Sequence, residues 1–302
     1  MDQAQVGRVR SFNRSVGEAI GALDDHFLGR DRPMGEARLL WQVGDGAEVR
    51  DIRHRLGLDP GYVSRLVRSL QRQGLVQLTV DSGDRRVRRI QPTEAGRAER
   101  AELDRRSDEL AEALLDPLDA DERTRLVAAM SEVERLMIRS RTTIRPVAAN
   151  DPQVRRCFDR YAAELHQRFD GGFDIARSNP MDIVDLVPPR GMVLLARIGG
   201  DAVGCGALMF QPGDIAEVRR VWIAPRVRGM GLGRRMLREL EQHAHDRGAR
   251  VARLETNRSL VEAVSMYRDA GYQEVPAFNH EPYADHWFEK RLGWAGPPPG
   301  VP

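Results

Sequence analysis

Apolar residues recur every three or four positions along the first half of the chain, which predicts helices at 6–28, 34–43, 49–56 and 61–73. A Gly-Leu-Asp-Pro turn at 57–60 separates the last two. A glycine in the turn and a proline near the next helix start are typical of a helix-turn-helix. Strands at 75–80 and 85–90 around a turn at 81–84 then predict a hairpin, so this part of the chain has the pattern of a winged helix.

A long helical region follows at 93–139 and is interrupted at Pro117. Its later part carries an apolar stripe that consists of Leu126, Met130, Val133 and Met137. Such a stripe has to be covered, either by the protein's own core or by a second subunit.

The helical periodicity stops near residues 140–151, and this change predicts a boundary between a domain at 1–141 and a second domain at 142–302. The glycine- and proline-rich tail at 296–302 is expected to be disordered. For the second domain the pattern predicts strands at 142–146, 191–197, 202–210, 217–224, 250–256 and 283–292, with helices at 154–169, from about 232, and at 260–270.

Composition changes this picture only in part. A chain of 302 residues suits two domains, and its net charge of +2 favours no class of partner. Residues 50–100, however, hold twelve arginines against six acids, so basic charge is concentrated in the winged-helix region. Two distant cysteines and scattered histidines have no ligand spacing, and no metal site is expected. No apolar run approaches the roughly 20 residues that span a bilayer, so we expect no membrane contact and a cytoplasmic protein.

The chemically richest stretch joins the strand at 217–224 to the helix that begins near Leu232. Its sequence is Arg-Gly-Met-Gly-Leu-Gly over residues 228–233. Glycines let the backbone approach a ligand closely, and the N–H groups at a helix start can point at one anion. A P-loop would need a Lys-Ser/Thr pair after the glycines, and a dinucleotide fold would need Gly-x-Gly-x-x-Gly at the strand end. Neither is present, and a plain strand-to-helix turn stays open as an alternative.

Residues from about 142 to 292 resemble the GNAT (Gcn5-related) N-acetyltransferases, whose coenzyme A pyrophosphate loop resembles Arg-x-x-Gly-x-Gly at 228–233. The strand 217–225, the Leu-Glu-Thr-Asn segment 254–257, the Ser-Met-Tyr-Arg-Asp-Ala-Gly-Tyr segment 265–272 and the closing strand near 282–290 follow in the family's order. The resemblance implies an α/β fold with a mixed central sheet and transfer of acetyl from acetyl-CoA to a primary amine. It implies coenzyme contacts at Val221, Trp222, Ile223, Arg228, Gly229, Met230, Gly231, Leu232, Gly233, Arg234 and Asn257.

Acetyl transfer requires that an ammonium lose its proton before the nitrogen attacks the thioester. A carboxylate can take that proton, and Glu217 is the candidate, with a salt bridge to Arg219 as the alternative interpretation. In the family, a main-chain N–H of this strand, here near Ile223, binds the oxygen on which charge develops. Tyr267 has the position of the tyrosine that protonates the leaving thiolate, although a tyrosine there can also be part of the core. Asn257 can equally cap a turn.

The first domain resembles the MarR family of bacterial regulators over about residues 6–139. The resemblance rests on segments 56–68 and 73–76, the Asp-x-Arg wing pattern at 84–86, and Pro-Thr-Glu-Ala-Gly at 92–96. It implies that the helix 61–73 enters the major groove of operator DNA and that the terminal helices, 6–28 and 103–137, form a homodimer. Base contacts are implied for Tyr62, Ser64 and Arg65, a phosphate contact for Arg68, and minor-groove contacts for Arg85 and above all Arg86.

Three hypotheses of different class follow. The chain is both a regulator and an acetyltransferase, or its second domain only senses acetyl-CoA or another ligand, or its winged helix only dimerises an enzyme. Glu217, Tyr267 and the intact glycine loop favour turnover. The basic set of Arg65, Arg68, Arg85 and Arg86 favours DNA binding. We therefore adopt the first hypothesis.

Overall fold

The computed structural model describes residues 2–21, 26–80, 88–179 and 181–293. The chain divides into two compact units, Met1–Met130 and Ser131–Pro302. Among the helices in these described ranges, none is both long and apolar enough to cross a membrane.

The first unit is mainly helical and contains a small antiparallel sheet of strand order β1-β3-β2. Asp59 caps the second helix of the helix-turn-helix by accepting hydrogen bonds from the N–H groups of Gly61 and Tyr62. Leu39, Ile52 and Leu70 meet in the core beneath it. The elements are α1 (Gln3–Ala19), α2 (Met34–Val43), β1 (Ala47–Glu48), α3 (Val49–Leu56), α4 (Pro60–Arg72), β2 (Val76–Val80), β3 (Arg88–Pro92), α5 (Glu94–Leu115) and the first half of α6 (Ala120–Arg141), with a short 3-10 helix at Phe27–Gly29. Helix α6 continues past Met130 into the second unit.

These elements confirm the winged helix-turn-helix, but the single first helix predicted at 6–28 is wrong. Helix α1 ends at Ala19, and Leu28 has a positive φ of 55° that no α-helix contains. Phe27, which continued the helical periodicity, packs in the core from the short 3-10 helix instead. The predicted wing turn at 81–84, with Arg85 and Arg86, lies outside the described residues, as does the tail 296–302.

Two helices present apolar side chains to solvent. Helices α1 and α6 contain no buried residue, and Phe12 and Met130 are 43% and 48% exposed. Exposed apolar stripes on helices of a folded domain indicate a further partner surface.

The second unit is built on a seven-stranded sheet of order β4-β5-β6-β7-β8-β10-β9. All neighbouring strands are antiparallel except β7 and β8, which are parallel, so the predicted mixed sheet is confirmed. The short β9 was not predicted. The elements are β4 (Thr142–Val147), α7 (Pro152–Arg168), β5 (Gly191–Ile198), β6 (Asp201–Gln211), β7 (Ile215–Ile223), α8 (Leu232–Asp246), β8 (Val251–Thr256), α9 (Val261–Asp269), β9 (Gln273–Val275) and β10 (His286–Arg291).

Helices α7 and α8 both pack on the centre of this sheet, and their contacts identify opposite faces. Cys205 of β6 lies on the α7 side, where Arg220 of the neighbouring strand stacks on Phe158 of α7. Gly206 follows in the strand and therefore faces the other way. A Cβ on Gly206 would meet Leu240 and Met236 of α8 within 3.3 Å, so the missing side chain lets α8 approach the strand closely.

Strands β7 and β8 pair only at their first three residues, from Ile215↔Val251 to Glu217↔Arg253. Beyond Glu217 the two strands diverge. The β6–β7 register also shifts between Cys205 and Ala207, which places an extra residue in β7 as a β-bulge. The sheet is thereby opened along one edge of β7, and a cleft lies between the diverging strands.

Candidate active site

The cleft is lined by both diverging strands, by α7 and by α9. Val221 and Arg220 come from β7, Glu255 from β8 and Tyr267 from α9. Aromatic rings of Phe169, Phe173 and Tyr283 form its apolar end, with ring centroids 4.8 to 5.9 Å apart. The site therefore combines titratable groups with an apolar pocket, which is the usual composition of a small-molecule site.

The glycine turn lies where β7 leads into α8. Gly229 and Gly231 have φ values of +75° and +74°, a conformation that L side chains rarely adopt, and a Cβ on either would meet nothing within 4 Å. Gly231 is the N-terminal cap residue of the 15-residue helix α8. Unpaired N–H groups at such a helix start attract anions, and the space beside the loop is open.

The remaining predicted loop residues have separate roles. Leu232 is buried in the core and offers only its backbone to a ligand, and Met230 packs on the same core. Gly233 lies under Met266, since a Cβ would stand 3.0 Å from its sulfur. Arg234 is exposed and pairs with Asp269.

Arg228 is held within the protein. Its Nε donates to the Ile223 carbonyl at 2.9 Å, and its Nη2 lies 2.5 Å from Glu164 of α7. Trp222 donates its indole N–H to the same carboxylate at 2.9 Å. Glu164 of α7 thus binds both Trp222, at the end of β7, and Arg228. The main chain at Val221 and Ile223 lies in the part of β7 that no longer pairs with β8.

Glu217, the predicted base, is buried and bound to Arg253, whose Nε and Nη2 lie 3.1 and 2.6 Å from Oε1. It belongs to the part of β7 that still pairs with β8, and it does not line the cleft. The alternative of a salt-bridged glutamate describes it well, although its partner is Arg253 and not Arg219. Its role as base stays a prediction.

Glu255, two residues along β8 from Arg253, was not predicted as a site residue. It lines the cleft, and Arg219 approaches its Oε1 to 3.4 Å, while the buried Oε2 has no hydrogen-bond partner at bonding geometry among the described residues. The side chain of Asn279 also acts on this carboxyl as a hydrogen-bond donor. Burial raises the pKa of this carboxyl. Strand alternation carries the missed signal, because it places Glu255 on the same face as Glu217. Glu255 faces the cleft and Glu217 does not, because the two strands diverge beyond Glu217.

Glu281 completes this group of charges. Its Oε2 accepts hydrogen bonds from Ser178 Oγ at 2.9 Å and from the N–H of Asn179 at 2.7 Å, and it lies 3.9 Å from Arg219. Oε2 of Glu281 thus holds the loop before β5, whereas Oε2 of Glu255 makes no such hydrogen bond to the described residues.

Tyr267 is buried to 7% exposure against Tyr272 and Phe288, yet it lines the cleft. Burial raises its pKa above the ordinary tyrosine value, so the hydroxyl keeps its proton at neutral pH. Asn257 also lines the cleft, but its side chain caps the turn after β8. Nδ2 donates to the Tyr283 carbonyl at 2.7 Å, and Oδ1 accepts from Ser259 N–H at 2.8 Å.

Arg220 occupies the β-bulge with a φ of +51°, which costs a non-glycine residue about 1–2 kcal/mol. Its guanidinium stacks over the Phe158 ring at 4.8 Å from the centroid. Tyr161, one turn further along α7, lies in the same wall, and burial raises the pKa of Tyr161 to about 12. No motif marked either residue in the sequence.

The predicted DNA-contacting face of α4 is solvent-exposed. Tyr62, Ser64, Arg65 and Arg68 point outward, while Val63, Leu66, Val67 and Leu70 are buried as expected. Arg65 stacks on the Tyr62 ring at 5.5 Å, and Arg68 Nε donates to the Ser64 carbonyl at 3.2 Å. The exposed surface of α4 is therefore basic and aromatic.

Residues 156–272 match the Acetyltransferase (GNAT) family, and residues 31–87 match the MarR family. An IAA acetyltransferase from Azospirillum brasilense is 33% identical over 122 residues, which are 40% of this chain and 74% of that protein. The uncharacterized N-acetyltransferase YjgM from Escherichia coli (strain K12) is 25% identical over 130 residues, 42% of this chain and 78% of that protein.

Among solved structures, the PaiA N-acetyltransferase from Thermoplasma acidophilum in complex with coenzyme A aligns with 50% of this chain and 98% of that chain, at 17% identity and a TM-score of 0.39. The family matches and the relatives in sequence lead to one assignment. The chain belongs to the GNAT acetyltransferase family through its second unit, and a MarR-family winged helix-turn-helix precedes that unit.

Proposed function

We propose that the protein is a transcriptional regulator and an acetyl-CoA-dependent N-acetyltransferase that acts on a primary amine. The observation that carries the enzymatic part is the cleft between β7 and β8, which brings Glu255 and Tyr267 together at the end of an open strand edge. Domain boundaries at 1–141 and 142–302 belong to the same proposal, because they keep helix α6 whole and begin the second domain with β4.

The coenzyme supplies an acetyl group activated as a thioester. The residues that would hold it are the glycine loop 228–233, through N–H groups at the start of α8, and the free edge of β7 from Val221 to Ile223. The main-chain N–H near Ile223 donates to the thioester oxygen as charge develops there. Asn257 supports the cleft from the turn that it caps.

A carboxylate in the cleft takes the proton from the acceptor ammonium. Glu255 suits this role because its Oε2 has no hydrogen-bond partner in the part of the chain that the structure describes and because burial raises its pKa, while Glu217 remains the candidate of the sequence motif. Nitrogen bonds to the acetyl carbon and the carbon–sulfur bond breaks. The ammonium loses two protons in all. Glu255 takes one of them and releases it to solvent. Tyr267 would give its own proton to the leaving thiolate, and the second proton lost by the nitrogen restores the Tyr267 hydroxyl by way of solvent.

The decisive experiment is release of free thiol from acetyl-CoA over a panel of amines, with calorimetry of acetyl-CoA binding alongside. We expect turnover with at least one amine, and we expect Tyr267→Phe to lower kcat more than affinity for acetyl-CoA. Tight binding of acetyl-CoA without turnover on any amine would favour the hypothesis that the second domain only senses a ligand. Failure to bind acetyl-CoA would remove the enzymatic proposal altogether.

For the first unit we propose that α4 binds operator DNA and that α1 and α6 form a homodimer. Arg68→Ala should weaken binding about equally on all sequences, and it should reduce the slope of log affinity against log salt by about 1 for each phosphate that the variant no longer neutralises. Arg65→Ala should instead relax base preference. Gel shifts identical to those of the wild type for both variants would leave the winged helix as a dimerisation module.

A further inference from the structure

Arg220 is a partly buried cation, and among the described residues no carboxylate lies within ion-pair distance of its guanidinium. The guanidinium stacks on the ring of Phe158, 4.8 Å from the ring centroid. Arg219, its neighbour in sequence, has Glu255 at 3.4 Å and Glu281 at 3.9 Å. Charged side chains in such positions are normally paired, so Arg220 has capacity for an anion that the protein does not supply.

The backbone holds this guanidinium at the cleft. Arg220 is the bulged residue of β7, and its φ of +51° is one that glycine would adopt without strain. A strained arginine at the wall of a site suggests a use for its side chain. The guanidinium stacks on Phe158 of α7, both Arg220 and Tyr161 of α7 line the cleft, and among the described residues no hydrogen bond engages the guanidinium N–H groups.

Arg219, the residue before Arg220 in the strand, belongs to a group of charges that is negative in sum. Arg219, Glu255 and Glu281 together carry two carboxylates against one guanidinium, a net charge of −1 when all are ionised. The cleft therefore has a negative wall that suits an ammonium and, beside it, a cationic group that suits a carboxylate.

The rest of the cleft is apolar. Phe169, Phe173 and Tyr283 pack against one another at its end, and Leu165 of α7 lies beside them. Such a cluster would bury a hydrocarbon or aromatic group of a bound molecule.

We propose that Arg220 binds the carboxylate of the acceptor, and that the acceptor is an α-amino acid with an apolar or aromatic side chain. Arginine suits this role because its planar guanidinium can form two parallel hydrogen bonds with one carboxylate. The inference rests on the proposed acetyl transfer and adds the class of acceptor to it. The acidic residues of the loop before β5 do not point to a more cationic acceptor, because Asp174 and Asp185 accept hydrogen bonds from nearby backbone N–H groups.

The test compares three acceptors that share one side chain: phenylalanine, phenylalaninamide and phenethylamine. With the wild type we expect kcat/KM for phenylalanine to exceed that for the other two by about 10- to 100-fold, the range of a charge-assisted pair of hydrogen bonds. Arg220→Gln should remove this preference, and Arg220→Lys should restore part of it. Arg238→Gln, an exposed arginine on α8, is the matched control and should keep it.

Calorimetry separates this inference from the proposed activity. Each acceptor is titrated into protein saturated with coenzyme A, and thermal melting verifies that the Arg220 variants fold. Carboxylate-dependent binding that Arg220→Gln abolishes would support the subsite even if no turnover occurred, and only the enzymatic proposal would then fail. Wild-type binding and turnover that favour phenethylamine, or an equal reduction for all three acceptors in Arg220→Gln, would overturn the subsite.

Discussion

At the scale of single residues, the two glutamates at the centre of the second unit differ in what their oxygens contact. Glu217 accepts hydrogen bonds from Arg253, whereas Oε2 of Glu255 has no hydrogen-bond partner among the residues that the structure describes. Both carboxylates lie on the same face of adjacent strands, so their local sequence patterns are equivalent. Their surroundings differ because β7 and β8 pair as far as Glu217 and Arg253, and Glu255 lies beyond the paired part.

Glu255→Gln should lower kcat/KM by about 10²- to 10³-fold, the usual contribution of a positioned base. A base must be deprotonated to act, and burial raises the pKa of Glu255. Wild-type kcat/KM should therefore rise with pH along a limb centred above 4.5, the ordinary value of the group. This limb should be absent in Glu255→Gln. Glu217→Gln is the matched comparison, and if it alone removed the limb, the base would be Glu217.

At the scale of elements, the turn from β7 into α8 depends on backbone conformation as much as on side chains. Gly231 needs its positive φ to begin the helix, and the space beside it is open. A side chain placed there would therefore extend into the open space beside the start of α8.

Gly231→Asp should weaken acetyl-CoA binding by about 100-fold or more, because a carboxylate would repel the pyrophosphate at the helix start. Gly231→Asn is the matched control, since asparagine has the same shape, carries no charge and tolerates a positive φ. Calorimetry should find the Asn variant clearly tighter than the Asp variant. Equal affinities for the two would argue against a pyrophosphate at this loop.

In the first unit, an ionic cluster ties α5 to the segment before α2. Glu99 of α5 is buried, and Arg30 Nε and Arg32 Nε each lie 3.0 Å from its Oε1. The hydrogen bond from Arg30 holds the pKa of Glu99 below its usual value. A carboxyl with a lowered pKa stabilises the fold above its ordinary pKa, and this contribution disappears as pH falls through the folded-state value.

Glu99→Gln should lower the free energy of unfolding at pH 7 by about 3 kcal/mol, because two partly buried guanidinium groups lose their anion. The difference from the wild type should shrink as pH falls below 4.5. Denaturant titrations at several pH values test this, with Asp108→Asn on the exposed face of the same helix as control. A difference that did not depend on pH would mean that packing, not charge, is responsible.

At the scale of the whole molecule, the exposed stripes of α1 and α6 bear on both activities. A dimer presents two recognition helices to two half-sites of DNA, whereas the cleft of the second unit is formed within one chain. DNA binding should therefore depend on assembly, and acetyl transfer should not.

Phe12→Glu should shift the protein from dimer to monomer in sedimentation velocity at micromolar concentration, because it buries a charge in an apolar interface. Operator affinity should fall with it, while kcat per chain stays close to that of the wild type. Asn13→Glu adds the same charge at a neighbouring polar position and should remain dimeric. A Phe12→Glu protein that stayed dimeric would place the interface elsewhere.

Local sequence patterns predict the long helices and strands and their order, whereas the short β1 and β9 and the end of α1 at Ala19 do not follow from them. Periodicity is a local property, so α2 and α3 begin and end where the pattern predicts, and the buried face of α4 is the predicted one. The glycine turn is equally local, since its positive φ values require glycine whatever surrounds it.

Which side chains face the cleft depends instead on how the strands pair in three dimensions. Glu217 and Glu255 have equivalent positions in the alternation of their strands. Nothing in that alternation indicates that β7 and β8 diverge after Glu217. The bulge at Arg220 and the bonds that hold Arg228 and Asn257 likewise depend on partners distant in the chain. Pairing and burial are set by those distant residues, and therefore the chemistry of each charged group follows from the fold and not from its motif.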